Sequence, residues 1–243
     1  MDRGSPGVGV VTVETDQGGP LVFYRALRVV LSSLARLFLR PVVEGADRVP
    51  AEGPVILAIN HLAVIDSFVV PMMVSRKVAF LAKSEYFEGK SIKGRLVGTL
   101  FRALGAVPVQ RDNSRAALAS LDDAGAILDA GGAFAIHPEG TRSLDGRLHR
   151  GRTGVAQLAL EHNAVVVPVA LIGTDKVQPK GKKLPRPHRI TVRFGTPLNF
   201  SRYDGLGNSL PIRRAVTDEI MYAIMELSGQ EYVDSYHKRP NAA

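Results

Sequence analysis

The sequence predicts an α/β fold, a layered domain with a largely parallel or mixed central sheet flanked by helices. Short apolar runs rich in β-branched residues alternate along the chain with longer amphipathic segments, and several of these runs end directly in polar residues. Strands that alternate with helices build parallel sheets, whose strands are buried on both faces. The chain has 243 residues, 45% of them hydrophobic, and no repeat or interior linker, which is sufficient for one such domain.

Each predicted element has a local reason in the sequence. A short extended piece is predicted at Val42–Gly45. The apolar runs that follow it are predicted to be strands: Val55–Ile59, Val78–Ala82, Ala106–Gln110, Ala133–Ile136, Val165–Ile172 and Ile190–Phe194. Pro168 is expected to break the strand Val165–Ile172. The predicted helices run from Asp66 or Ser67 to Met73, from Ser91 to Leu104, from Asn113 to Ala130, from Thr153 to His162 and from Leu210 to Leu227. Asn113 suits an N-cap, and Gly131 and Gly132 end its helix.

Residues 21–40 are predicted to form a basic amphipathic helix that precedes the domain. Its basic stripe consists of Arg25, Arg28, Arg36 and Arg40. These arginines argue against a membrane span, whereas a basic face opposite an apolar one suits the interface of an anionic membrane. The alternative is a helix packed on the chain's own core. We assign residues 1–20 to a flexible tail and 229–243 to a C-terminal tail.

The composition favours an anionic partner and excludes several chemistries. The formal net charge of +8 suits an anionic membrane, a phosphorylated substrate or a nucleic acid. Nucleic acid is not expected, because only 6% of the residues are aromatic and no basic stretch carries interleaved aromatics for stacking. The absence of cysteine excludes a disulfide, a cysteine zinc site and a thiolate nucleophile.

A histidine and a carboxylate after the first long apolar run form a candidate catalytic pair. The run ends in Asn60-His61, and Asp66 follows. On a continuous helix the side chains of His61 and Asp66 would lie about 140° apart, so they meet only if His61 ends a strand and Asp66 begins the next helix. Asp66 would then accept from one imidazole nitrogen and leave the other to take a proton from a substrate hydroxyl. The alternative is that His61 satisfies a buried polar contact while Asp66 caps the helix.

Four motifs between residues 55 and 172 resemble those of the glycerolipid acyltransferase family, in particular its bacterial 1-acylglycerol-3-phosphate acyltransferases. In family order they are Asn60-His61 with Asp66, Gly105–Arg111, Pro138–Ser143 with the sequence Pro-Glu-Gly-Thr-Arg-Ser, and Val166–Val169. The third motif is highly specific, and its pairing with the first supports the resemblance. Two positions depart from the family pattern: His137 stands where the third motif usually begins with Phe, and Gln110 where the second usually has Asp.

The resemblance implies that residues 41–228 are an acyltransferase domain with His61 as its general base. His61 would deprotonate the acceptor hydroxyl, which attacks an acyl thioester directly, and Asp66 would orient the imidazole. Arg111 and Arg142 would hold the acceptor phosphate, since a guanidinium offers it a bidentate fork. Each arginine also has a structural alternative. Arg111 could be a surface residue at a strand end, and Arg142 could form an ion pair with Glu139.

The remaining predicted substrate-binding positions lie at strand ends or in the third motif. They are Asn60, Lys83, Glu139, Gly140 and Thr141. Glu139 would contact the acceptor glycerol or order its loop, and Gly140 would let the backbone approach the ligand. Lys83 is a phosphate candidate that plain solvation explains equally well. We expect no metal site and no cofactor, with acyl-CoA or acyl carrier protein as the co-substrate.

The expected reaction is acylation of the free hydroxyl of 1-acylglycerol 3-phosphate, giving phosphatidic acid in phospholipid biosynthesis. The enzyme would be peripheral or monotopic at the cytoplasmic face of the cell membrane. One alternative is acylation of glycerol 3-phosphate or of another lysophospholipid. A second is a lipid hydrolase or thioesterase that uses a serine such as Ser67 or Ser143 with His61, although the chain has no Gly-x-Ser-x-Gly elbow. A third is a non-catalytic basic membrane-binding module.

Several basic residues that follow the third motif are interpreted as surface groups. Arg147, Arg150 and Arg152 are expected to form a solvated basic rim that attracts an anionic lipid surface. His149 and His162 are expected at the surface.

Overall fold

A computed structural model of the protein describes residues 36–84, 87, 91–109, 114–179, 181–182 and 184–237, together with 29 and 33. The strands in this part of the chain are β1 Val42–Glu44, β2 Val55–Ile59, β3 Val78–Lys83, β4 Ala106–Val109, β5 Ala133–Ile136, β6 Leu148–His149, β7 Val165–Ile172, β8 Thr191–Phe194 and β9 Tyr232–Val233. The helices are α1 Asp66–Met73, α2 Ile92–Ala103, α3 Ser114–Asp129, α4 Gly154–Glu161, the short α5 Thr174–Val177 and α6 Leu210–Ser228. Short 3-10 turns occupy Ala46–Arg48 and Ser201–Tyr203.

The central sheet is mixed and has seven strands in the order β1-β8-β7-β2-β5-β3-β4. Strands β7, β2, β5, β3 and β4 are parallel to one another, β8 runs antiparallel to β7, and β1 is parallel to β8. The α/β class with a largely parallel or mixed sheet is therefore confirmed. Because the five parallel strands point the same way, the residues that follow them meet at one edge of the sheet.

Strand β2 lies at the centre of the sheet, and all five of its residues are buried. Leu57 and Ile59 face one side of the sheet, and Ile56 and Ala58 face the other. The first side is covered by α1 and α2, which contribute Val69, Val70, Phe101 and neighbouring residues. The second side is covered by α3, α4 and α6, which contribute Leu128, Leu158, Ile220 and Ile224. The end of β2 is thus held by two apolar layers.

Strand β7 is continuous through Pro168, so the predicted break is wrong. The N–H of Val166 points away from β2 and donates to the carbonyl oxygen of Leu198 at 3.0 Å. The backbone of Pro168, two residues later in the strand, is directed to this same side, away from β2. Pro168 lies opposite Gly195, whose N–H donates to its carbonyl oxygen at 2.8 Å, just beyond the end of β8. The pair of Pro168 and Gly195 therefore keeps one of the two bonds of an antiparallel pair, and the missing N–H falls just past the end of β8.

The chain ends are described only in part. The predicted tail 1–20, most of the predicted helix 21–40 and residues 238–243 lie outside the described residues. The described end of that helix, 36–39, buries Leu39 and exposes Leu37 and Phe38. Part of the predicted C-terminal tail packs on the domain, because β9 pairs with β6 in a separate two-stranded sheet. Among the described residues, no helix is both long enough and apolar enough to cross a membrane.

Candidate active site

The polar segments that follow the parallel strands converge at one edge of the sheet. His61 follows β2, the segment from His137 to Ser143 follows β5, and Thr174 follows β7 after one glycine. Lys83 is the last residue of β3 and reaches the same edge. Four strands thus bring together residues that are far apart in the sequence, as the sequence predicts for His61 and the third motif.

The candidate catalytic pair is formed. The Nδ1 atom of His61 lies 3.0 Å from Oδ2 of Asp66, which opens α1. The same oxygen accepts from the backbone N–H groups of Leu62 at 2.6 Å and Ala63 at 2.7 Å. Asp66 is fully buried and His61 is 7% exposed. The carboxylate therefore fixes the loop between β2 and α1 as well as the imidazole. The helix begins after Ile65 and has no side-chain cap, so the predicted alternative, in which Asp66 caps the helix, is wrong.

The charge state of Asp66 reflects two opposing effects. Burial raises the pKa of Asp66, while the backbone hydrogen bonds from Ala63 and Leu62 and the nearby hydroxyl of Thr174 favour the carboxylate and lower the pKa. An ionised Asp66 can only accept, so the facing nitrogen of His61 is Nδ1–H and donates. The other ring nitrogen, Nε2, then carries the lone pair that takes a proton. Thr174, which is fully buried, is a contributor that the sequence did not indicate.

Glu139 holds the backbone of His61 to the loop of the third motif. Its carboxylate is 2% exposed and accepts from the N–H of His61 at 3.3 Å and from the N–H of His149 at 2.9 Å. The N–H of Ser143 in turn donates to the carbonyl oxygen of His61 at 2.7 Å. Burial raises the pKa of Glu139 to about 7, because its effect exceeds that of the two N–H bonds, which lower the pKa. These contacts support loop ordering by Glu139, and its contact with an acceptor stays a prediction.

Arg142 lies on the exposed side of the same loop. Within the described part of the chain it makes no salt bridge, and Glu139 is hydrogen-bonded to backbone N–H groups instead of to Arg142. The predicted structural alternative for Arg142, an ion pair with Glu139, is therefore not formed. Thr141 beside it is partly buried. An exposed guanidinium without a salt bridge in the described part of the chain is available to an anionic ligand.

Gly140 adopts a left-handed backbone conformation with φ 71°. A Cβ atom at this position would lie 2.9 Å from Cδ and Nε of Arg152, so the glycine makes room for a side chain of the protein itself. The guanidinium of Arg152 lies over the ring of Tyr236, with 5.4 Å from Cζ to the ring centroid. The predicted approach of a ligand to the backbone of Gly140 remains a prediction.

Asn60 is fully buried and bonded to the protein on both sides of its amide. Its Oδ1 accepts from the N–H of Leu171 at 2.7 Å, and its Nδ2 donates to the carbonyl oxygen of Leu171 at 2.9 Å and to Oε1 of Gln230 at 2.7 Å. Asn60 thereby joins the end of β2 to β7 and to the segment after α6. The predicted contact of Asn60 with substrate is not tested by these bonds.

Two further predicted phosphate contacts cannot be located in full. Arg111 lies outside the described residues, which stop at Val109 and resume at Ser114. The backbone of Lys83 pairs with Val109 in the ladder between β3 and β4, while its side chain lies outside the described part. Both assignments stay predictions.

The predicted basic rim is partly neutralised by nearby acids. Arg147 pairs with Asp145 at 2.8 Å and lies 3.7 Å from Glu231, and Arg150 lies 3.4 Å from Asp234. Exposed pairs of this kind are individually weak, but they lower the net positive charge of the surface. The rim is therefore less basic than the sequence alone suggests.

Two histidines differ from what the sequence indicates. His149, expected at the surface, is 5% exposed, because β6 is covered by β9 and the N–H of His149 is taken by Glu139. His137 stacks on His61, with ring centroids 3.9 Å apart and an interplanar angle of 13°. The only sequence signal for the stack on His61 is that His137 stands where the family usually has Phe. His162 is partly exposed and pairs with Asp129 at 2.6 Å.

One group of side chains in the described part has the composition of a cation site. Asp145, His149 and His237 place a possible ligand atom each within 4.8 Å of one another. The carboxylate of Asp145 is already shared between His149, Ser143 and both guanidinium donors of Arg147. A cation here would have to displace Arg147, so we assign no metal to this cluster.

The comparisons with known proteins agree with the geometry. A family model described as Acyltransferase matches residues 40–172. The chain is 28% identical over 168 residues to a chloroplastic 1-acyl-sn-glycerol-3-phosphate acyltransferase of Arabidopsis thaliana, covering 68% of this chain and 46% of that protein. It is 33% identical over 141 residues to a 1-acyl-sn-glycerol-3-phosphate acyltransferase of Limnanthes douglasii, covering 58% of this chain and 48% of that protein. The chain thus spans about half the length of these plant relatives.

A solved structure extends the match to the fold. The crystal structure of the 1-acyl-sn-glycerophosphate acyltransferase PlsC from Thermotoga maritima superimposes with a TM-score of 0.66 and 25% sequence identity. The match covers 86% of this chain and 80% of that one.

Replacing Glu139 by Gln is expected to destabilise the fold by about 1–3 kcal/mol at pH 6. An amide offers its oxygen to only one of the two backbone N–H groups and turns its own NH₂ toward the other. Urea unfolding followed by circular dichroism measures the change. Glu226→Gln, at an exposed position of α6, is the matched control and should stay within about 0.5 kcal/mol of wild type. Equal stability of all three proteins would contradict the two N–H bonds to Glu139.

The same proteins report the titration of Glu139. Its pKa is raised from 4.5 to about 7 on folding, so between these values the folded carboxyl holds a proton that the unfolded chain has released. The stability from this proton is complete below pH 4.5 and is lost as the pH rises through about 7, by up to about 3 kcal/mol. Gln cannot titrate, so the stability advantage of wild type over Glu139→Gln should shrink across this range. A constant difference would show that Glu139 ionises normally.

Proposed function

Because the chain belongs to the Acyltransferase family, we propose that it transfers a fatty acyl chain from an acyl thioester to the free hydroxyl of 1-acylglycerol 3-phosphate, giving phosphatidic acid. The observation that carries the proposal is the bond between Nδ1 of His61 and the buried carboxylate of Asp66. The names of the plant and Thermotoga maritima proteins support this acceptor. Acyl-CoA or acyl carrier protein is the proposed donor, and no cofactor is part of the reaction.

The proposed mechanism needs one base and no covalent enzyme intermediate. Nε2 of His61 takes the proton of the acceptor hydroxyl as its oxygen attacks the thioester carbonyl. The C–O bond forms, the C–S bond of the tetrahedral intermediate then breaks, and the leaving thiolate takes the proton back from His61. Asp66 holds the Nδ1–H and stabilises the imidazolium between these steps. General base catalysis contributes about 10²–10⁴-fold, and alignment of the two substrates can contribute more.

The acceptor phosphate is the proposed ligand of Arg142, together with Arg111. The exposed guanidinium of Arg142 has no salt-bridge partner within the described residues and stands four positions beyond Pro138 in the loop that is bonded to His61. A phosphate held there would bring the glycerol hydroxyl of the same molecule toward the base. Glycerol 3-phosphate or another lysophospholipid satisfies the same chemistry and is the alternative acceptor.

A serine hydrolase is less well supported than a transferase. The hydroxyl of Ser67 lies 3.3 Å from Nε2 of His137, and the hydroxyl of Ser143 donates to Asp145 at 3.0 Å. Neither contact resembles the serine–histidine–acid arrangement, since His137 donates to backbone carbonyls and has no hydrogen-bonded acid partner among the described residues. An acceptor hydroxyl is therefore the better candidate nucleophile for His61.

The proposed membrane contact lies at the end of the N-terminal helix. Leu37 and Phe38 are 71% and 52% exposed. Both line an open cavity of about 480 Å³. Its other lining residues are Arg40, Pro41, Val42, Pro187, His188 and Arg189. Apolar side chains next to arginines suit the headgroup region of an anionic bilayer. These side chains support peripheral binding to a membrane, and we propose the cytoplasmic face of the cell membrane as its site.

The proposal is tested by thiol release from palmitoyl-CoA, with and without lysophosphatidic acid, with the lipid products resolved. Acceptor-dependent release with phosphatidic acid formed is expected, and His61→Ala should reduce it by about 10²–10⁴-fold without weakening liposome binding. His162→Ala, at a partly exposed histidine on the far side of the domain, is the matched control and should retain activity. Release without an acceptor would indicate a thioesterase. Turnover only with glycerol 3-phosphate would replace the acceptor.

Replacing Arg142 by Ala is expected to raise the apparent KM for lysophosphatidic acid by about 10–100-fold, the worth of a charge-assisted hydrogen bond. The KM for the acyl thioester should change much less. Arg202→Ala is the matched control, because Arg202 is also exposed but lies away from the site. It pairs with Glu219, and the nearby Leu198 bridges to Val166 near the start of β7, whereas the site follows the end of β7. Equal weakening of both substrates in Arg142→Ala would exclude its phosphate role.

Changing Leu37 and Phe38 together to Ser is expected to weaken binding to liposomes of phosphatidylglycerol and phosphatidylcholine by about 10-fold or more, because two apolar side chains no longer insert. Cosedimentation measures the bound fraction. Leu210→Ser removes a leucine that is 70% exposed at the start of α6 and should leave binding unchanged. Unchanged binding of the double variant would assign this helix to the core of the domain.

A further inference from the structure

The ring of His61 has a second neighbour besides Asp66. The imidazole of His137 stacks on it with centroids 3.9 Å apart and planes inclined by 13°. Asp66 contacts the edge of the His61 ring at Nδ1, whereas His137 covers its face. The hydrogen bond to Asp66 holds one edge of the ring, and contact with its face restrains tilting about that bond. The two neighbours thus restrain different motions of the same ring.

The hydrogen bonds of His137 fix its tautomer. Its Nδ1 lies 3.2 Å from the carbonyl oxygens of both Ile59 and Asn60, which can only accept, so Nδ1 carries the proton and donates. Its Nε2 lies 3.3 Å from the hydroxyl of Ser67 and accepts from it. His137 therefore reaches from the end of β5 to the end of β2 and to the first turn of α1, next to Asp66.

The surroundings of His137 keep it neutral. Burial lowers the pKa of His137 to about 3, and the neighbouring charge of a protonated His61 lowers it further, against Asp66 and the two carbonyls, which raise it. Asp66 is the acidic group that faces this pair from α1, and Ser67 beside it is uncharged. At neutral pH the proton taken from a substrate is therefore not shared with His137. A neutral ring face is also favourable next to the imidazolium that forms on His61.

We propose that His137 is a positioning residue for the general base: a neutral imidazole, locked by Ile59, Asn60 and Ser67, whose ring face holds the His61 imidazole in the orientation that Asp66 selects. This inference rests on the proposed function of His61. It assigns to the residue before the Pro-Glu-Gly motif a role in the geometry of the base and not in binding either substrate.

Two substitutions separate the ring face from the hydrogen bonds. His137→Ala removes the stack and should lower kcat by about 10–100-fold, the effect of a misplacement of about 1 Å, while the KM for both substrates changes less than about threefold. His137→Phe keeps a flat ring on His61 without the hydrogen bonds and should restore kcat to within about threefold of wild type. Thermal unfolding of each variant accompanies the kinetics. Full activity of His137→Ala, or equal loss in both variants, would overturn the proposal.

A substrate-free measurement keeps the proposal independent of the reaction. In protein with ¹⁵N-labelled imidazoles, two-bond proton–nitrogen spectra report the tautomer of each ring, and six histidines are few enough to assign by substitution. His137 should remain the neutral Nδ1–H tautomer below pH 5, and His61 should be Nδ1–H in wild type and His137→Phe. In His137→Ala the His61 ring should show mixed tautomers. Titration of His137 near pH 6.5, or an unchanged His61 tautomer in His137→Ala, would overturn the positioning role.

The two experiments also separate this inference from the proposed function. If wild type forms no acylated product from any acceptor, the proposed function fails, while the tautomers of His61 and His137 still decide the positioning role. If wild type is active and His137→Ala retains full kcat, the proposed function stands and the positioning role fails.

Discussion

The arrangement of the site depends on one buried carboxylate, that of Glu139. It accepts the backbone N–H of His61 at the end of β2 and that of His149 on β6, and Ser143 of the same loop donates to the carbonyl oxygen of His61. A buried carboxylate without donors is costly, so the loop cannot move away from β2 without leaving this group unpaired. The Pro-Glu-Gly-Thr-Arg-Ser loop therefore holds the backbone of the base in place before it contacts any substrate.

The side chain of His61 needs further restraints, and they come from two other elements. Asp66 at the start of α1 bonds the ring at its edge, and His137 at the end of β5 covers its face. Both α1 and β5 are packed on β2, whose five residues are fully surrounded by the two apolar layers. A base held at its backbone, edge and face loses little further entropy when the substrates align, which is the physical meaning of preorganisation here.

The strands of the central sheet and the His61–Asp66 pair could be predicted from the sequence, because both depend on residues that are neighbours in the chain. Val55–Ile59 is a continuous apolar run with a polar end, and Asp66 opens the next helix. The burial of His149 could not be predicted in this way. It depends on the pairing of β6 with β9 near the other end of the chain, and a local pattern carries no information on that pairing. The tolerance of β7 for Pro168 likewise depends on where β8 ends.

The two unusual titrations near His61 have different consequences for the pH dependence of the site. The pKa of His137 is lowered to about 3, so its hydrogen bonds and its stack on His61 persist at pH values above about 3. Glu139, with a pKa of about 7, changes charge within that range. An ionised carboxylate accepts an N–H bond more strongly than a carboxylic acid does, but the cost of burying the charge outweighs this gain, because the pKa is raised and not lowered. The fold therefore loses stability as the pH rises through 7. A pH dependence in this region that Glu139→Gln removes is therefore assigned to Glu139.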